Sequence, residues 1–262
     1  MPLYTCYDMI RDCAANRPEG WRFFVTEYAP ILRTLLEHYR PEAAAEWPAK
    51  APEMLRRFDA AFFAACGPRS ERDFLLSLRQ QLLAWLEPHD ASDPRVWDAF
   101  SHALAPLTLT EKQVVWFEVM GYGKDDSAAM MRMHPDGVER IRRKAAEALA
   151  QHGGVVDRDC LRSSVAALPA DGCCEAKDFF DWLDGRITWY RRDDLERHAT
   201  HCWRCVDLFC RVREVSRLAQ RRKPLSAGEA RPLLAALGIP ESAPRSWSDR
   251  LRFWRRLTRT GA

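Results

Sequence analysis

Residues 196–205 read Glu-Arg-His-Ala-Thr-His-Cys-Trp-Arg-Cys and contain His198-x3-Cys202-x2-Cys205. Offsets of four and seven residues bring three donor atoms to one side of a helix or a helix-turn, and Cys-x2-Cys is a common two-thiolate clamp. Imidazole and thiolate donors in this pattern suit Zn2+, which closes a tetrahedral structural site with a fourth protein ligand. The adjacent pair Cys173 and Cys174, 25 and 24 residues before His198, offers that ligand, and spacing does not choose between the two. An open coordination position with a neighbouring general base, which a catalytic zinc needs, is not evident, so a structural ion is expected. The sequence also lacks a P-loop, a Gly-x-Gly-x-x-Gly and a Gly-x-Ser-x-Gly, and no enzymatic activity is expected.

The elements that must hold these residues read as helices throughout. Period-two alternation is scarce, and runs of Val, Ile or Thr bounded by turn residues are few. In the first segment Ile31, Leu32, Leu35 and Leu36 form an apolar stripe at helical spacing, and further helices are expected over 53–65 and 71–86. A linker with Pro88 and Pro94 follows. The metal-ligand segment is read as a helix over 176–183, a turn at Asp184-Gly185 and a second helix from about Asp193. With 262 residues, 47% hydrophobic and 29% charged, the chain is expected to fold as several modules with ordinary cores. The modules expected are 1–90, 96–152, 171–220 and a connector with a basic tail over 221–262. No stretch is apolar enough for a membrane span and the first residues lack a signal-peptide layout, which predicts a cytoplasmic location. In a reducing compartment nine cysteines point to metal ligands, redox thiols or buried small residues rather than disulfides.

A second chemistry-bearing stretch lies over 107–149. Thr108 or Thr110 can cap a helix, Glu111 stands three residues after Thr108, and Val114, Val115 and Phe117 supply an apolar face. A short helix over 125–131, a break at 133–136 and a helix over 137–149 follow. In this last helix Val138, Ile141, Ala145 and Leu149 face inward, while Arg140, Arg142, Arg143 and Lys144 form a basic cluster. This is the layout of helix-turn-helix DNA readers, whose second helix enters the major groove. On its own the basic run equally describes the solvated face of a helical bundle.

Cys173/Cys174, Phe180-Asp181-Trp182-Leu183-Asp184-Gly185, Leu195-Glu196-Arg197-His198 and Cys202-Trp203-Arg204-Cys205 together resemble the zinc-associated anti-sigma domain. That resemblance covers about 45 residues and implies a small helical domain that binds zinc and a sigma factor. In some members thiol oxidation expels the metal and ends inhibition. Here Cys210 and the unused member of the Cys173/Cys174 pair are spare thiols. The 96–152 segment resembles region 4 of extracytoplasmic-function sigma factors. The segment from Trp21 to Leu86 more weakly resembles region 2. The combination implies an all-α, sigma-like regulator of transcription initiation whose zinc anti-sigma-like domain acts in cis, with promoter DNA and RNA polymerase core as partners. Two departures keep an alternative open, an adaptor that does not read DNA and binds a separate sigma factor through its zinc domain. Where region 2 usually carries an acidic stretch, residues 54–63 are aromatic and poor in acids. Glu139 stands near the start of the helix that would serve as the recognition helix, where a carboxylate repels phosphates.

The net charge of +3 hides a local asymmetry: six arginines face one aspartate over 245–262. Trp247, Leu251, Trp254 and Leu257 or Thr258 recur at helical spacing among those arginines. A basic amphipathic helix of this kind suits a membrane surface, a nucleic-acid backbone or a partner's groove.

Overall fold

The computed structural model describes residues 4–67, 70–86, 92–152 and 156–240. The basic tail with Trp247, Leu251, Trp254 and Leu257 lies outside the described residues. The fold is all-α. In chain order its helices are α1 (Cys6–Ala14), α2 (Pro18–Tyr39), α3 (Pro41–Ala45), α4 (Trp47–Arg56), α5 (Ala60–Cys66), α6 (Glu71–Leu86), α7 (Pro94–Ala103), α8 (Leu109–Val119), α9 (Lys124–Met131), α10 (Pro135–Gln151), α11 (Arg158–Ala167), α12 (Ala176–Leu183), α13 (Trp189–His201), α14 (Trp203–Arg221) and α15 (Ala227–Ala236). No strand occurs among the described residues, and no helix there is long and apolar enough to cross a membrane.

By its described residues the chain forms two compact units, the first from 4–29, 48–67 and 224–240 and the second from 30–47, 70–86, 92–152 and 156–223. In the first unit α1 packs against α5, around an aromatic core of Trp21, Phe24, Phe58 and Phe63. The Phe24 and Phe63 rings meet edge to face at 5.1 Å, a favoured aromatic geometry. The aromatic content of 54–63 therefore builds core. The helix expected over 53–65 is interrupted, because the Asp59 carboxylate accepts from the Phe62 N–H at 2.9 Å and starts α5 afresh. The Leu225 N–H donates to the Thr26 carbonyl at 2.9 Å, joining the segment before α15 to this unit.

Both the 96–152 and the 171–220 segments lie in the second unit. Its spine is α14, which packs against α6, α8, α9, α12 and α13. Such a position requires apolar residues on more than one face, and Trp203, Cys205, Val206, Phe209, Cys210, Val212 and Val215 are all buried. Helix α8 is covered from two sides, by α14 and by α10. It starts at the expected capping box: Thr108 Oγ1 accepts from the Glu111 N–H at 3.3 Å, and Glu111 Oε2 accepts from the Thr108 N–H at 2.9 Å.

Two buried polar arrangements tie α14 to its neighbours. Trp116 Nε1 donates to Asp207 Oδ1 at 2.9 Å. Glu214, 1% exposed, accepts from the hydroxyls of Tyr39 and Tyr122 and from Arg79 Nε of α6. Burial alone would lower the Arg79 pKa, but the Glu214 carboxylate, with Tyr39 and Asp207 adding to it, raises it on balance and keeps the guanidinium charged.

Candidate metal centre

The three ligands read from the spacing sit around a helix break. His198 is in the last turn of α13, Cys202 is both the end of α13 and the residue before α14, and Cys205 lies in the first turn of α14. The extended backbone of Cys202, φ −117° and ψ 102°, turns the chain between the two helices. Its carbonyl accepts from the Cys205 N–H at 3.0 Å, which brings both thiols toward the start of α14.

The fourth residue comes from the loop between α11 and α12. Gly172, with φ +72°, supplies the left-handed turn that precedes Cys173, and the Cys173 N–H donates to the Ala170 carbonyl at 3.1 Å. Arg204 fastens this loop to α14 by donating to the carbonyls of Leu168 and Ala166 at 2.6 and 3.1 Å. One donor atom from each of Cys173, His198, Cys202 and Cys205 lies within 4.8 Å of every other. Cys174 stands beside the cluster, and its N–H donates to Cys205 Sγ at 3.3 Å. Between the two candidates, the structure therefore groups Cys173 with the trio and gives Cys174 a supporting contact. Cys210 is apart from them: it is fully buried against α8, its thiol 3.7 Å from the Gln113 carbonyl.

Several observations fit a bound ion. Nε2 of His198 is buried and has no hydrogen-bond partner, an expensive state for a ring nitrogen unless it coordinates something. The Cys173 and Cys202 sulfurs are 3.7 Å apart, close to the roughly 3.8 Å that tetrahedral angles and Zn–S bonds of about 2.3 Å imply. Burial and the neighbouring thiol of Cys202 push the Cys173 pKa up to about 12, and contact with Cys174 followed by burial raises that of Cys205. Thiols this close resist ionising together, and a divalent cation removes that cost. The cluster could therefore hold a metal ion.

The surroundings give the cluster a rigid seat. Phe179 of α12 stacks on Phe209 of α14 with centroids 4.4 Å apart, and Arg191 of α13 bonds Asp178 of α12 at 2.9 Å. Lys112, 3% exposed on α8, donates from Nζ to the Thr200 carbonyl at 2.6 Å, satisfying an end carbonyl of α13 between His198 and Cys202. Burial lowers the Lys112 pKa.

The second candidate site is split. Arg140 and Arg143 are exposed on α10, as is Glu139. Arg142 instead donates to the Tyr122 carbonyl at 2.7 Å and lies 3.4 Å from Glu118, and Lys144 bonds Glu111 at 2.7 Å. These two cations brace α10 against α8 and the 120–123 turn. A three-residue turn, 132–134, joins α9 to α10, with Arg132 in the left-handed region at φ +53° and His134 capping α10. Val138, Ile141, Ala145 and Leu149 are the buried positions of α10.

Comparisons of the chain with protein-family models, with curated proteins and with solved structures find no match.

Proposed function

We propose that the chain is a sigma-factor-like regulator of transcription initiation in which a zinc-held helical segment acts in cis on the segments that resemble sigma regions. The observation that carries this reading is the position of α14. The helix that begins at Cys202 and Cys205 packs on α6, the closing helix of the region 2-like segment, and on α8, the first helix of the region 4-like segment. Zinc would be held by Cys173, His198, Cys202 and Cys205, with Cys174 supporting Cys205. When bound, the ion supplies a closed cross-link between the 168–175 loop, the end of α13 and the start of α14. Four protein ligands fill a tetrahedron, so the centre is structural and non-catalytic in this reading. A cytoplasmic location accompanies it.

Promoter DNA would meet the α9–α10 face through Arg140 and Arg143, while Arg142 and Lys144 keep α10 in place. The test is binding of the full chain to promoter duplex as a function of salt. Each phosphate contact adds about 0.9 to the slope of log K against log[salt], so the Arg140→Gln, Arg143→Gln double variant reduces the slope by about 1.8. Deleting residues 171–262 is a poor substitute, since it would uncover Trp116 and strand the Arg79 charge.

A second reading, an adaptor that binds a separate sigma factor and no DNA, is favoured by the commitment of Arg142 and Lys144 to internal bonds and by exposed Glu139 beside Arg140. DNA binding that is absent at all salt concentrations, with retained binding to a sigma factor, selects it.

A further inference from the structure

The C-terminal half of α14 carries more positive charge than its neighbours neutralise. Arg222, just beyond the helix, pairs with Glu71, and Arg213 donates to the Met130 carbonyl at 3.3 Å. Among the described residues Arg217, Arg221 and Lys223 have no ion-pair partner. The helix dipole accounts for one cation in the last turn, but Arg217 lies a full turn earlier.

All three cations line one cleft of about 270 Å³, formed by residues 30–38 of α2, by α9 and by α14. Asp126 and Glu214 are the acids in its lining, and Glu214 is already bound by Arg79, Tyr39 and Tyr122. The apolar part of the lining comes from Ile31, Met130 and Leu218. His38 lies against Tyr122 with ring centroids 4.1 Å apart and adds a flat surface. Burial and the repulsion of Arg221 both lower the Arg217 pKa, and Asp126 only partly opposes them. Two guanidiniums at i and i+4 therefore face a common space with their mutual repulsion only partly compensated.

We propose that this cleft is a binding site for a small organic phosphate, its phosphate held by Arg217, Arg221 and Lys223 and its apolar body against Ile31, Met130 and Leu218. Guanidinium pairs suit phosphate because they donate two bonds each in a fixed fork. The volume is at the lower edge of ligand pockets, roughly 300 Å³, which suits a single ring or short chain and excludes a dinucleotide. The site rests on neither the metal centre nor the transcription reading.

The test is titration of the full chain with phenyl phosphate by calorimetry, beside inorganic phosphate, benzoate and benzyl alcohol. Phenyl phosphate is expected to bind saturably and more tightly than the other three. Arg217→Gln and Arg221→Gln each weaken it by about tenfold, the loss expected for one charge-assisted contact. Lys223→Gln, beyond the end of α14 and neutral to folding, weakens it as well. Absence of saturable binding up to about 10 mM, or affinity unchanged in all three variants, overturns the proposal. Equal affinity for inorganic phosphate overturns the apolar half, and equal affinity for benzoate overturns the phosphate assignment.

Discussion

Replacing Glu214 by glutamine removes the anion at the centre of a buried network while keeping its shape. Arg79 and Glu214 side chains are 4% and 1% exposed, so water cannot take over the stranded guanidinium. Tyr39 and Tyr122 can still donate to an amide oxygen, which confines the damage to the lost ion pair. Removing one partner of a buried pair costs about 3–5 kcal/mol. With a urea slope of about 2–3 kcal/mol per M, the unfolding midpoint falls by roughly 1–2.5 M. Adding Arg79→Leu to Glu214→Gln removes the stranded charge, so the double variant regains most of the loss, with a coupling of about 2–3 kcal/mol. Urea unfolding of the four proteins, followed by far-ultraviolet circular dichroism, measures this cycle. A Glu214→Gln loss below about 1 kcal/mol, or a double variant no better than the single one, would refute the view that this pair locks α6 to α14.

Other outcomes follow from the same geometry. Cys173→Ser lowers zinc affinity by more than about 100-fold, whereas Cys174→Ser keeps its backbone N–H···S bond to Cys205 and lowers it by less than about tenfold, as competition with a chromogenic chelator would show. Two hydrogen bonds from Arg72, at 2.9 and 2.6 Å, hold the Asp184 carboxyl below the usual carboxylate range. Because the folded value is the lower one, this contribution is present above about pH 4 and lost as pH falls through the folded value; Asp184→Asn removes about 0.5–1 kcal/mol at pH 7 and flattens that acid limb of the stability profile. Gly121, at φ +95°, has no room for a side chain, since a Cβ would meet the His38 carbonyl oxygen at 2.3 Å. Gly121→Ala therefore destabilises by about 2 kcal/mol or more in thermal unfolding, and a stability change near zero contradicts the close approach.

Local signals were legible in the sequence where one short stretch carries the whole interaction. The Thr108–Glu111 capping box, the inward face of α10, the helix Ala176–Leu183 and the His198-x3-Cys202-x2-Cys205 spacing all have this character. Helix α13 begins at Trp189, before the expected Asp193, because Thr188 caps it, a weak single-residue signal. Helix α11 fell between the expected 96–152 and 171–220 modules and α15 in the stretch read as a connector, where short apolar patterns are diluted by charge and proline. The choice between Cys173 and Cys174 was not legible, because adjacent residues have the same reach and the local backbone, with its left-handed turn at Gly172, sets which thiol faces the cluster. The internal roles of Arg142 and Lys144 depend on partners at Tyr122 and Glu111, and Glu214 meets Arg79 across 135 residues. Such pairings are made by tertiary packing, and no spacing rule along the chain announces them.

The central proposal is that Cys173, His198, Cys202 and Cys205 hold one zinc ion. Elemental analysis of the full chain purified without added metal, together with the absorption spectrum after exchange into Co2+, tests it most directly. About one zinc per chain is expected, with the thiolate charge-transfer and tetrahedral bands of a three-sulfur, one-nitrogen site, both lost in Cys202→Ser. A chain that carries no stoichiometric zinc and binds Co2+ only in an octahedral, oxygen-ligated form contradicts it.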